Sequence, residues 1–128
     1  MATSRSSSTT FIGRNADQEA AKYLSKNYSL NLIAKNWRTR TCEIDLIMQK
    51  DRTIHFIEVK FRRSNYTGGG LASINPSKLN RMLNASMEWF DQNTNYQDYS
   101  ANIAAIEIIG SSLKDENINF IESIPYDF

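Results

Sequence analysis

The sequence has a single cysteine, Cys42, among its 128 residues. One cysteine excludes an internal disulfide bond and a zinc site built from several thiolates, as expected for a reducing compartment. No stretch approaches the roughly 20 apolar residues that span a bilayer. The Ser/Thr-rich residues 1–10 lack the apolar core of a secretory signal. We therefore predict a cytoplasmic protein with no membrane segment and with a disordered leader at residues 1–10.

Glycine is sparse apart from the run Gly68-Gly69-Gly70, which no GK[ST] motif follows. This excludes a phosphate-binding P-loop and favours a mobile loop over residues 64–75. The sequence also lacks internal repeats. A chain of 128 residues has room for one ordinary domain, which we place at residues 11–128.

The net charge of +1 conceals an uneven distribution along the chain. Residues 1–90 carry 14 Lys and Arg against 7 Asp and Glu, whereas residues 91–128 carry 1 against 7. The basic part suits a polyanionic partner, although an ordinary solvated surface has a similar composition. The candidate nucleic-acid-binding residues are Arg38, Arg40, Arg62 and Arg63.

Helix and strand patterns follow one another in the order αβββαββ, which predicts an α/β fold. Asn15, with Gln18 three residues later, predicts a capping box and a first helix over residues 16–26. Asn75 followed by Pro76 predicts the start of a second helix. The predicted strands cover residues 30–37, 43–49, 53–61, 102–110 and 117–124.

Helical spacing predicts which side chains of the two helices face the core. In the first helix, Asp17 shares the inward stripe with Ala20, Ala21 and Leu24, whereas Glu19 lies on another stripe. In the second helix Lys78 lies outside the predicted core stripe. That stripe consists of Leu79, Met82, Leu83, Ser86, Met87 and Phe90.

The segments Glu-Ile-Asp-Leu-Ile and Phe-Ile-Glu-Val-Lys form the strongest local pattern. If residues 51–52 are a two-residue hairpin turn, Asp45 lies opposite Glu58 and Glu43 lies opposite Lys60. The four side chains then share one face of the sheet. Opposed residues have Cβ atoms about 4.5 to 5.5 Å apart, so the pattern predicts a small cluster of three acids and one lysine.

Such a cluster has the chemistry of a metal-dependent hydrolytic site. Two neighbouring carboxylates repel each other, and a divalent cation relieves that repulsion. Oxygen ligands suit Mg²⁺ or Mn²⁺, and a nearby lysine can stabilise charge on a phosphoryl oxygen. We therefore assign Asp45 and Glu58 as metal ligands and Lys60 as the activating residue for phosphodiester hydrolysis, with Glu43 as an auxiliary residue.

The same residues also permit a structural interpretation. Glu43 and Lys60 can form a cross-strand ion pair, while Arg38 or Arg40 compensates the other two acids. A Glu-x-Lys triplet also arises easily by chance in a strand. The residues alone leave both interpretations open.

Several ordered blocks together resemble a known family. The blocks are Gly13-Arg14, Ala20, Tyr23-Leu24, Lys35-Asn36-Trp37-Arg38, Glu43-Ile44-Asp45-Leu46-Ile47, Phe56-Ile57-Glu58-Val59-Lys60 and Lys78. In these the sequence is similar to the small bacterial YraN-like family, which is placed in the PD-(D/E)XK nuclease superfamily. The resemblance implies a restriction endonuclease-like αβββαβ core with a mixed central sheet flanked by helices.

The resemblance also implies a function and a site. It implies an Mg²⁺- or Mn²⁺-dependent endonuclease that acts on DNA rather than RNA, including branched DNA of the kind that Holliday-junction resolvases cut. Its site would consist of Asp17, Asp45, Glu58 and Lys60, with Lys78 as an auxiliary cation. A homodimer would suit a junction substrate.

The chain departs from the family pattern at three places. Ala16-Asp17 stands where the family has Gly-Glu, Cys42 replaces a glycine, and Ala104 replaces an aspartate. The departures at Ala16, Asp17 and Ala104 leave open an alternative to the nuclease, a noncatalytic nucleic-acid-binding protein that retains the nuclease fold. A third alternative is a protein-interaction module, which only the acidic C-terminal part of the sequence indicates. We exclude His55 from the site because it lies near the hairpin turn.

Overall fold

The computed structural model describes residues 15–62, 74–110 and 117–125. Its helices are α1 (Ala16–Tyr28) and α2 (Pro76–Gln92), and a short 3₁₀ helix covers Thr94–Tyr96. Its strands are β1 (Asn31–Arg38), β2 (Glu43–Lys50), β3 (Thr53–Arg62), β4 (Ser100–Ile109) and β5 (Ile118–Ile121). The predicted order αβββαββ is confirmed. The predicted leader, Arg63 and most of the predicted glycine loop lie outside the described residues.

The five strands form one mixed sheet in the order β1-β2-β3-β4-β5. Neighbouring strands are antiparallel except β3 and β4, which are parallel. A parallel pair needs a crossover connection, and α2 lies within the connection from β3 to β4. The sheet and its two flanking helices match the predicted restriction endonuclease-like αβββαβ core.

The sheet buries a different kind of side chain on each face. On the α1 face, Leu24 of the helix packs with aliphatic residues such as Leu46 and Ile57. On the α2 face, Phe56 and Trp89 pack edge to face, with ring centroids 5.8 Å apart. Alternation along β3 therefore directs residues 57 and 59 towards α1 and residues 54 and 56 towards α2.

The two helix starts differ in how they are capped. The Asn75 side chain accepts a hydrogen bond of 2.8 Å from the backbone N–H of Lys78, which confirms the predicted cap of α2. α1 begins at the predicted residue, but the Asn15 side chain makes no capping hydrogen bond. The predicted capping box is therefore wrong, and the first turn is closed by backbone contacts such as Glu19 N–H to Asn15 C=O at 2.9 Å.

The inward face of α2 is rotated relative to the prediction. Met87, assigned to the core stripe, is 60% exposed. Trp89 is buried in its place because its ring fills the space beside Phe56 and Tyr96. The buried residues of α2 are Met82, Leu83, Ala85, Ser86 and Trp89. Neither helix in the described ranges is long and apolar enough to cross a membrane.

Candidate active site

The hairpin of β2 and β3 has the predicted register. Its pairs run from Lys50↔Thr53 at the turn to Leu46↔Ile57, and the turn contains the two predicted residues. Asp51 in the turn has φ of 54°. The pairs end at Leu46↔Ile57, one residue before Asp45 and Glu58, and beyond them the Asp45 side chain contacts the backbone of Val59.

Asp45 is held by a hydrogen bond from the neighbouring strand. Its Oδ2 accepts the backbone N–H of Val59 at 2.8 Å. Burial, together with the nearby charges of Glu58, Asp17 and Glu43, raises the pKa of Asp45 to about 7, although the Val59 hydrogen bond opposes the shift. Four carboxylates thus lie within electrostatic range of one another, which is costly unless a cation or a proton compensates them.

Glu58 is 5% exposed and makes two ion pairs. Its Oε2 lies 3.3 Å from Nζ of Lys60, and its Oε1 lies 3.2 Å from Nζ of Lys78. Lys60 comes from the same strand, whereas Lys78 comes from the first turn of α2. The structure therefore brings together three of the predicted site residues, and it places Glu58 on the α2 face, opposite Ile57 and Val59.

Asp17 approaches this group from the start of α1. Its Oδ2 accepts a hydrogen bond of 2.6 Å from Nδ2 of Asn36 in β1. Burial raises the pKa of Asp17, and the charges of Glu43 and Glu58 add to the effect. Asn36 was missed as a site residue, although it stands in one of the sequence blocks that carry the family resemblance. Its backbone is left-handed, with φ of 52°, a conformation that asparagine tolerates.

Glu43 pairs with Arg38 and not with Lys60, the partner that the structural interpretation of the sequence gave it. Its Oε1 lies 3.1 Å from Nη2 of Arg38, its neighbour across β1 and β2. Lys60 pairs instead with Glu58. The cross-strand pair of Glu43 and Lys60 is therefore not the arrangement that the structure contains.

The other predicted arginines are dispersed. Arg40 is exposed, and Arg63 lies outside the described residues. Nη1 of Arg62 lies 3.7 Å from Oε2 of Glu107, a residue that is only 2% exposed. Sequence reasoning missed Glu107, although it stands alone in an apolar strand, level with Lys60 of β3. Within the described residues, its Oε2 accepts no hydrogen bond.

Neither Cys42 nor His55 was assigned to the site, and burial shifts the pKa of both. Burial raises the pKa of the Cys42 thiol, which disfavours the nucleophilic thiolate. His55 lies level with Met48 near the turn, and burial lowers its pKa. Its Nδ1 is 2.9 Å from Nδ2 of Asn102.

The donor set fits a small hard cation. Within the described residues, no three His, Cys, Asp or Glu side chains are arranged to share one ion. Mg²⁺ does not need three, because it is usually held by one or two carboxylates and several waters. Asp45 and Glu58 supply that number of carboxylates, and the repulsion that raises the pKa of Asp45 favours a cation there.

The fold and these side chains define an α/β protein of restriction endonuclease-like architecture with an acid and lysine cluster beside its β2–β3 hairpin. Residues 16–114 match the model of the family described as "Uncharacterised protein family UPF0102", and the chain belongs to that family. A UPF0102 protein of Vibrio parahaemolyticus is 31% identical over 88% of this chain and 89% of its own. One from Nitrosomonas eutropha is 37% identical over 82% of this chain and 88% of its own.

Proposed function

We propose that the protein is a metal-dependent endonuclease that hydrolyses phosphodiester bonds in DNA. The observation that carries the proposal is the cluster of Asp45, Glu58 and Lys60. Acids gather there at an electrostatic cost, and lysine ammonium groups lie directly beside Glu58. Sites with perturbed carboxylates of this kind are typical of active centres.

We assign a separate role to each side chain of the cluster. Asp45 and Glu58 would hold Mg²⁺ or Mn²⁺, which polarises a phosphoryl oxygen and lowers the pKa of a bound water. Lys60 is about one-third exposed at its side chain, so its ammonium group can turn from Glu58 towards a substrate phosphate. Lys78 stands in the first turn of α2, where the helix N-terminus also favours an anion.

One observation favours the alternative of a noncatalytic nucleic-acid-binding protein. Both oxygens of Glu58 already contact lysine ammonium groups, so the charge of Glu58 is compensated without a metal. Ala104, where the resemblance implies an aspartate, lies fully buried among apolar side chains of the α1 face. A site that has lost its metal would have the first property, whereas the Ala104 side chain lies on the sheet face opposite that of Glu58 and says nothing about the cluster.

Cleavage of labelled DNA tests the proposal. The substrates are duplex, single-stranded, flap and four-way-junction DNA, each with Mg²⁺, Mn²⁺ or EDTA. The variants Asp45→Asn and Lys60→Ala are compared with Asp51→Asn and Lys50→Ala, matched changes at the turn of the same hairpin. We expect metal-dependent cutting that the first pair abolishes and the second pair retains.

The opposite result is equally specific. If the native protein binds these DNAs without cutting any of them, and Asp45→Asn binds equally well, the protein is a noncatalytic binder. Cutting that survives in both Asp45→Asn and Lys60→Ala would place the active centre elsewhere.

A further inference from the structure

A groove of about 610 Å³ runs between α1 and β1. We call it the lysine groove, and it is lined by Gln18, Ala21, Lys22, Ser25, Lys26, Leu32 and Lys35. Three of the seven lining residues are lysines and none is acidic. The groove therefore has the charge of an anion-binding surface.

The positions of the lysines are fixed by the two elements that form the groove. Lys22 and Lys26 are four residues apart on α1, so they lie on the same side of the helix. Lys35 projects from β1 on the other side of the groove. Lys22 also lies 3.8 Å from Glu19, outside the lining, so its charge is partly compensated.

The floor of the groove is apolar. Leu32 is 44% exposed there and is one of the two exposed large hydrophobic side chains among the described residues. The pairing of β1 with β2 shifts between Leu32 and Ala34, and such a bulge redirects side chains. Cations above an apolar floor suit a chain of phosphates that alternate with less polar sugars.

The lysine groove reaches the candidate active site at one end. Gln18 of the groove follows Asp17 directly, and Lys35 precedes Asn36, whose side chain binds Asp17. The positive charge of Lys35 also lowers the pKa of Asp17. A polymer lying in the groove would therefore extend to the acid cluster.

We propose that the lysine groove binds the phosphate backbone of the nucleic-acid strand whose phosphodiester group lies at the acid cluster. This inference rests on the proposed function, since it assigns that function a binding surface. It differs from the sequence-based assignment, which placed nucleic-acid binding on arginines. In the structure, Arg38 and Arg62 are paired with Glu43 and Glu107.

Fluorescence anisotropy with labelled single-stranded and duplex DNA tests the groove in EDTA, so that cleavage does not interfere. The test variant is Lys26→Gln/Lys35→Gln, and the control is Lys50→Gln, an exposed lysine at the hairpin turn. Each lysine that contacts a phosphate contributes about 0.7 to 0.9 to the slope of log K against log salt. We expect the test variant to bind at least about tenfold more weakly at low salt and to reduce that slope by about 1.5, with the control unchanged.

Several results would overturn the groove proposal. They are no binding of DNA by the native protein, an unchanged affinity and salt slope in the test variant, an equal loss in Lys50→Gln, and competition by polyglutamate as effective as that by DNA. A circular dichroism spectrum identical to that of the native protein ensures that the loss is not one of folding.

Cleavage separates the groove from the proposed function. If the native protein cuts DNA while the test variant binds and cuts normally, the groove proposal fails and the endonuclease stands. If the test variant loses binding but the native protein never cuts, the groove stands and the endonuclease fails.

Discussion

The two ends of the β2–β3 hairpin hold their polar side chains in opposite ways. At the turn end, His55 and Glu122 meet Asn102, whose Nδ2 lies 2.9 Å from Nδ1 of His55 and 2.6 Å from the carbonyl oxygen of Glu122. An amide NH₂ group only donates, so Nδ1 of the imidazole acts as an acceptor there. At the open end, Asp45 and Glu58 lie among further acids, and lysines provide the compensation.

The two ends therefore differ in what their polar side chains contribute to stability. The two strands pair in one register from Lys50↔Thr53 at the turn to Leu46↔Ile57. At the turn end, Asn102 satisfies His55 and the Glu122 carbonyl with neutral hydrogen bonds, and Arg52 pairs with the opposite charge of Asp98, all of which stabilise the fold. The open end concentrates negative charge, which destabilises it. A natural sequence retains such a cost chiefly where a site requires it.

The largest expected effect is on catalysis. Glu58→Gln keeps the shape of the side chain but removes its charge, and we expect cleavage to fall at least about 100-fold, as when a preorganised polar group is removed from an active site. His55→Gln, the matched change at the turn end, should leave cleavage unchanged. Rates of junction and duplex cleavage measure both. A comparable loss in the two variants would break the distinction between the ends.

The next effect is on stability and its dependence on pH. The pKa of Asp45 is about 7 in the fold, against an ordinary value of 3.8. The folded state therefore binds more protons between these values, and the free energy of unfolding falls as the pH rises through them. Without metal, we expect this carboxyl to cost up to about 4 kcal/mol between pH 4 and pH 8.

Asp45→Asn should remove that part of the pH dependence and make the protein more stable than the native chain at pH 8. Urea unfolding in EDTA at pH 4, 6 and 8 measures the difference. Asp51→Asn at the turn is the control. Parallel pH profiles for the native protein and Asp45→Asn would mean that the Asp45 charge carries no net cost.

A smaller effect is expected at the turn end. Asn102→Ala removes the partner of both His55 and the Glu122 carbonyl, and we expect it to lower the free energy of unfolding by about 1 to 2 kcal/mol. Cleavage should not change. Asn84→Ala on the exposed side of α2 is the control for urea unfolding. A loss of cleavage with little change in stability would show that the two ends are coupled.

The smallest effect concerns the imidazole itself. Burial, followed by the charge of Lys50, lowers the pKa of His55 below its ordinary 6.5. The folded state then binds fewer protons than the unfolded chain, so stability falls as the pH drops below 6.5. His55→Gln should reduce this loss, measured by urea unfolding at pH 7 and pH 5. The sign is opposite to that expected for Asp45.

Local pattern was sufficient to predict the hairpin. Alternation defined the strands, and a two-residue turn leaves one register, which the pairs from Lys50↔Thr53 to Leu46↔Ile57 confirm. The ion pair of Glu58 with Lys78 could not be predicted from the local sequence pattern. Lys78 reaches Glu58 only because α2 crosses the sheet, and its place near the site came from the family resemblance.

Other details depend on packing rather than on periodicity. The predicted stripe of α2 included Met87, but the position of Phe56 on the sheet decides that Trp89 faces inward. Glu107 was not assigned a role from the sequence, because strand pattern alone does not reveal that Arg62 of β3 lies 3.7 Å from its carboxylate. Asn15 had a capping sequence, yet the backbone geometry there differs from that of a side-chain cap.

The parallel pairing of β3 with β4 also bears on how the chain folds. Its partners, such as His55 and Asn102, are 47 residues apart along the chain, whereas the β2–β3 pairs close over a two-residue turn. Contacts between distant residues form slowly, because a long loop must close first. We therefore expect Asp45, Glu58 and Lys60 to come together early in folding, and Lys78 to join them only when the crossover helix docks.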